Sequence, residues 1–76
     1  MNNARRKKLS SISKTLAEVR DLVDGLMNEE QECLDNMPEN LMDSERYIMG
    51  EEAVDNMDDA IIAIEDAIES IDAAKQ

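Results

Sequence analysis

From Glu51 to Ile71 the chain divides into sevens: EEAVDNM, DDAIIAI, EDAIESI. Strand side chains alternate every two residues. An apolar period of about 3.5 residues held over three heptads therefore belongs to a helix with one continuous apolar seam. Tyr47, Val54, Ile61 and Ile68 form one row of that seam, and Gly50, Met57, Ile64 and Ile71 form the other. Ala53, Ala60, Ala67 and Ala74 recur beside it and allow a neighbouring helix to come close. The acidic pairs fall on the opposite flank. Ser44 is the expected N-cap, with Asp43 and Glu45 favourable at the positive end of the helix dipole.

The first half obeys the same spacing. Leu9, Leu16, Val23 and Met37 share one row, interrupted by Glu30, and Ile12, Val19, Leu26 and Cys33 share a second. Leu22, Met27 and Leu34 widen the stripe. The expected seam is these two rows, with Cys33 as a small core residue. The sole proline, Pro38, stands in DNMPEN, whose Asn and Asp residues favour a turn. The chain is thus expected to be all-α: a single helical hairpin over residues 1–76, with helices at about 5–35 and 44–74 and a turn at 36–43. Pairing outward from the turn sets Leu26 level with Val54, Val19 with Ile61 and Ile12 with Ile68. The apolar stripe is wider than one hairpin can cover, so dimerisation into a four-helix bundle is expected.

Charge is sorted along the chain. Residues 1–20 carry +5 and residues 21–76 carry −16, for a total of −11. The hairpin should bring Arg5, Arg6, Lys7, Lys8 and Lys14 beside Glu65, Asp66, Glu69 and Asp72, offsetting cations that oppose the dipole of their own helix. An acidic surface of this kind repels nucleic acid and anionic membrane and suits a basic protein surface. ARRKK lacks the aromatic residues of a nucleic-acid platform and is accounted for by pairing within the hairpin.

The composition removes most chemistry. There is no histidine, so the common zinc patterns and histidine-based acid–base or nucleophile pairs are excluded. Cys33 has no partner for an internal disulfide. The acids lack both the Glu-x-x-His pattern of di-iron bundles and the spacing and glycine of an EF-hand. The expectation is a non-enzyme without metal, cofactor or small-molecule substrate. The residues after the basic start are too polar for a signal-peptide core, and no stretch reaches the ~20 apolar residues of a membrane span, so the expected location is the cytoplasm.

Two candidate binding surfaces follow. Glu51, Glu52, Asp55, Asp58, Asp59, Glu65 and Asp66 form a carboxylate ladder, either a decoy for a phosphate-binding groove or a solvated flank that favours solubility. Met42, Tyr47, Ile48 and Met49 surround the turn, where they either grip a partner or close the end of the core.

The segment NMPENLMDSERYIMGEEAVDNMDDAIIAIEDAIESI resembles small acidic helical-hairpin proteins of bacteriophages and other bacterial mobile elements. The similarity covers about residues 33–72, and its most specific parts are Met37–Leu41 and Ser44–Tyr47. The chain departs from the pattern at Ile48-Met49-Gly50, where those proteins are more polar. The resemblance implies a hairpin and a mobile-element setting and brings no activity with it. The leading expectation is a small phage-type protein that inhibits a bacterial nucleic-acid-processing or defence protein, such as a nuclease, by occupying its basic groove. The alternative is a structural or adaptor coiled-coil module that links protomers or partner helices.

Overall fold

The computed structural model describes residues 1–76 and is a helical hairpin 60 Å long and 14 by 12 Å across. Helix α1 runs Asn3–Asp35 and helix α2 runs Glu45–Ala74, packed antiparallel. Between them a short 3-10 turn, Glu39–Leu41, follows Pro38. Pro38 has φ −58° and ψ 145°, an extended conformation that ends the helical path before the turn. Ser44 caps α2 as expected, its hydroxyl accepting the Tyr47 N–H at 3.3 Å. At the other helix start Asn2 accepts the Arg5 N–H at 2.8 Å, so α1 begins two residues earlier than the apolar pattern alone suggests.

Both expected rows of α2 face α1. Ile61 and Gly50 are buried, and Tyr47, Val54, Met57, Ile64, Ile68 and Ile71 are half-buried. In α1 the row Leu9, Leu16, Val23, Glu30 also turns inward, and Met37, just past the helix end, is half-buried. The second α1 row is corrected. Ile12, Val19, Leu26 and Cys33 are exposed, and the row one position on, Arg6, Ser13, Arg20, Met27 and Leu34, faces α2 instead. Specific fits decide that roll. Leu34, only 1% exposed, packs against Gly50. The Ser13 hydroxyl donates to Asp72 Oδ1 at 2.8 Å. Arg6 Nε donates to the Lys75 carbonyl at 2.9 Å, so a cation of α1 serves the unsatisfied carbonyl end of α2. Arginine can lay its apolar stem along a seam while its head reaches a polar group, which lets Arg6 and Arg20 stand where an aliphatic was expected.

The charge pairing expected at the open end is corrected in the same way. The three ion pairs are Arg20–Asp21, Arg46–Glu30 and Lys75–Asp72. None joins Arg5, Lys7, Lys8 or Lys14 to α2. Glu30, which interrupts the apolar row, is met across the hairpin by Arg46 at 2.8 Å. The contact lies off the ideal N–H direction, leaving Glu30 Oε1 an ionic partner without a well-formed hydrogen bond.

The two glycines predict opposite outcomes on substitution. A Cβ at Gly50 would stand 2.6 Å from Leu34 Cδ2 and 2.9 Å from Arg46 Nη1, so this glycine marks a close approach of the helices. Gly50→Ala gains helix propensity but forces the buried Leu34 out of its rotamer, and overpacking of this kind costs about 1–3 kcal/mol. A Cβ at Gly25 meets nothing within 4 Å. Gly25→Ala should therefore stabilise by up to about 1 kcal/mol. Chemical denaturation of the two variants reads both signs; a stabilised Gly50→Ala would show that the helices are not in close contact there.

Candidate binding surface

The roll of the helices sorts the surface into two faces. Glu30–Arg46 lies toward one side of the interface and Ser13–Asp72 toward the other, with Leu34 against Gly50 between them. The side marked by Ser13–Asp72 carries the α2 row Glu51, Asp58, Glu65, Asp72; the next row outward is Ile48, Asp55, Ile62, Glu69, and beyond it, about 100° from the first, lies Glu52, Asp59, Asp66. All seven acids of the first and third rows are exposed, as are Asp55 and Glu69 between them. From Glu51 to Asp72 the ladder covers three heptads, about 32 Å at ~1.5 Å per residue. Asp72 alone among them has a cation within ion-pair distance, Lys75 at 3.1 Å. The structure thus places Glu51, Glu52, Asp55, Asp58, Asp59, Glu65 and Asp66 on one side of α2, without ion-pair partners and with exposed Ile48 and Ile62 among them.

Helix geometry gives that density a cost. Asp55 is three or four residues from Glu51, Glu52, Asp58 and Asp59, so four like-charge pairs converge on it. No cation in the hairpin relieves them.

The turn residues are less well gathered. Met42, Ile48 and Met49 are exposed, but consecutive helical positions differ by about 100°, so Ile48 and Met49 point to different sides of α2. Tyr47 is half-buried in the seam. Leu41 on the 3-10 turn is exposed as well, though it is not one of the turn residues expected to bind.

At the open end Asp72 is held below the ordinary carboxylate range, first by the Ser13 hydroxyl and then by Lys75, against a smaller opposing effect of burial. The group is well exposed, so the sign of its linkage matters more than its size. Its contribution to stability is complete above the unfolded carboxylate pKa and is lost as pH falls through the lower folded value. Removing the hydroxyl with Ser13→Ala should raise the Asp72 midpoint in a carboxyl NMR titration. An unchanged midpoint would mean that Ser13 does not hold Asp72 in solution.

The opposite side of the hairpin, marked by Glu30–Arg46, presents the α1 row Ile12, Val19, Leu26, Cys33 beside the α2 row Ala53, Ala60, Ala67, Ala74. Leu22 flanks it, 69% exposed, and Leu26 is 57% exposed. Sequence reasoning placed the α1 residues inside the hairpin and so missed them as surface.

No group of three or more His, Cys, Asp or Glu side chains is disposed to hold a metal ion, and no helix is long and apolar enough to cross a membrane. Compared with protein-family models, curated proteins and solved structures, the chain matches none. The fold and surface define a charge-sorted helical hairpin.

Proposed function

We propose that the hairpin is a non-catalytic binding protein whose acidic α2 flank occupies a basic, nucleic-acid-binding surface on another protein. Inhibition of a bacterial nucleic-acid-processing or defence protein in the host cytoplasm is the functional form of that reading. The observation that carries it is the uncompensated ladder from Glu51 to Asp66: seven exposed carboxylates, none with an ion-pair partner. Helix stability does not account for it, because like charges three and four residues apart destabilise a helix. From Glu51 to Asp66 the flank is about 22 Å long at ~1.5 Å per residue, the reach of a groove that holds roughly six or seven base pairs at about 3.4 Å per pair. Exposed Met42, Ile48, Met49 and Leu41 at the turn end supply apolar grip beside the charge.

Binding of this kind depends on ions released from both surfaces and must weaken steeply with salt. A protein captured from bacterial lysate by the immobilised hairpin at about 50 mM salt should be released by about 200 mM. Retention through that change would contradict the charge-driven reading.

A second reading, a helical oligomerisation module, is favoured by the exposed row Ile12, Val19, Leu26 with Leu22. A hairpin with just four buried residues, Ser13, Leu34, Gly50 and Ile61, has a thin core, and self-association would enlarge it.

A further inference from the structure

We propose that a second copy of this chain packs on the face made by Ile12, Val19, Leu22 and Leu26 of α1 and the Ala53, Ala60, Ala67 row of α2, with the two hairpins antiparallel. The proposal deepens the oligomerisation reading and is independent of the acidic-flank one, because the ladder lies on the opposite face and stays open in the dimer.

Three observations lead to this occupant. The first is the near-absence of charge. Between Ile12 and Cys33 in α1, and between Ala53 and Ala74 in α2, the two rows facing this side contain no ionisable acid or base apart from the Cys33 thiol. The flanking Leu22 row adds one carboxylate, Glu29, which an antiparallel two-fold between Leu22 and Val23 sets level with Leu16 of the second copy. Two copies of a protein with net charge −11 can therefore meet here without placing carboxylate on carboxylate across the contact.

The second is area. A face about 30 Å long and two helices wide is on the order of 600–800 Å² per copy, close to the roughly 800 Å² per partner of a stable interface.

The third is charge complementarity, which selects the orientation. The open end, residues 1–20 with 63–76, has seven cations and five acids and carries +2. The turn end, residues 28–52, has one cation and nine acids and carries −8. A parallel dimer would set the two −8 ends together. The antiparallel dimer sets each +2 end on a −8 end and excludes that repulsion.

The antiparallel two-fold lies in the contact plane and stacks α1 on α1 and α2 on α2. Centred between Leu22 and Val23, it sets Ile12 opposite Cys33 of the second copy and Val19 opposite its Leu26. Arg5 and Lys8 belong to the same two rows as Ile12 and Leu22. They then come level with Met37–Asn40 of the second copy, beside its Glu39. On α2 the same axis passes near Ala60, where the small side chains let the helices approach closely, as tight helix pairs require.

The orientation has a covalent readout. Ile12 and Cys33 are three heptads apart on one helix, about 31 Å, so they cannot join within a chain. In Ile12→Cys the introduced thiol faces Cys33 of the other copy. Two thiols give up two protons and two electrons to added diamide and form one S–S bond between the chains. Light scattering of the wild type should give twice the 8.6 kDa monomer mass. Diamide should convert Ile12→Cys to a covalent dimer, with peptide mapping locating the bond between the introduced thiol and Cys33. Leu26→Asp should reduce the mass to one chain while circular dichroism retains the helices, because Leu26 lies outside the hairpin core. A wild-type monomer at all concentrations overturns the proposal. A dimer that forms no such bond, or that survives Leu26→Asp, overturns this face and orientation while leaving the oligomerisation reading in place.

Discussion

Leu34→Asp should leave the chain largely unfolded at room temperature by circular dichroism. Leu34 is the one fully buried large side chain, and it fills the space that Gly50 leaves open on α2. An aspartate there would be an unpaired charge in the tightest contact of the hairpin, one turn from Glu30, whose only cation is already Arg46. Breaking or mispairing a buried charge costs about 3–5 kcal/mol. A chain of 76 residues with so few buried side chains holds about that much stability in total. Leu34→Ala removes the contact without adding charge and should cost about 2–5 kcal/mol. Gln31→Asp adds the same charge at an exposed position of the same turn; it gives up one exposed hydrogen bond to Asp35 and sets two carboxylates four residues apart, so it should cost about 1 kcal/mol. A melting curve of Leu34→Asp that matches Gln31→Asp would show that α1 does not present Leu34 to α2.

Asp55→Asn should raise stability and weaken partner binding together. Four carboxylates surround Asp55 at helical neighbour spacing, and each such like-charge pair costs about 0.2–0.5 kcal/mol. Neutralising the shared member relieves all four, for a gain of about 1–2 kcal/mol by the same pairwise figure, less in high salt. A residue whose removal stabilises the fold stands where function opposes stability, as binding surfaces often do. Denaturation and binding measured on one preparation separate the cases. Greater stability with unchanged binding would make the ladder a solvated flank. No change in stability would mean that counter-ions already neutralise it.

The α2 helix was legible in detail because its rows compete with nothing. No other row of α2 is apolar throughout: Ile48 and Ile62 alternate with Asp55 and Glu69, and the Ala53 row offers only small side chains, so apolar counting and geometry agree. In α1 two rows, one on each side of the Leu9 row, compete. Ile12, Val19, Leu26 and Cys33 are more apolar than Arg6, Ser13, Arg20, Met27 and Leu34, and counting prefers them. The hairpin prefers the second because its fit depends on the shape of α2. Leu34 reaches into the space at Gly50, where Cys33, with a shorter side chain, would leave a void. Ser13 and Arg6 gain hydrogen bonds to Asp72 and Lys75 that no apolar residue could make. Those terms belong to pairs of residues far apart in the chain, and a pattern read along one helix does not contain them. The acidic ladder was legible because exposure of paired acids follows from the heptad itself. Its freedom from cations was not, since Arg5, Lys7, Lys8 and Lys14 had the charge to cover it and the fold directs them elsewhere.

The claim that the α2 flank acts as a phosphate decoy is tested most directly by displacement. The immobilised hairpin is loaded with protein from bacterial lysate and challenged with duplex DNA at constant ionic strength, beside a variant carrying Asp58→Asn, Asp59→Asn, Glu65→Gln and Asp66→Asn. All four positions are exposed and off the seam, so the variant keeps its helices. DNA should release the captured protein from the wild type, and the neutralised hairpin should capture none. Capture that DNA does not compete with, at equal strength on both hairpins, would contradict the account.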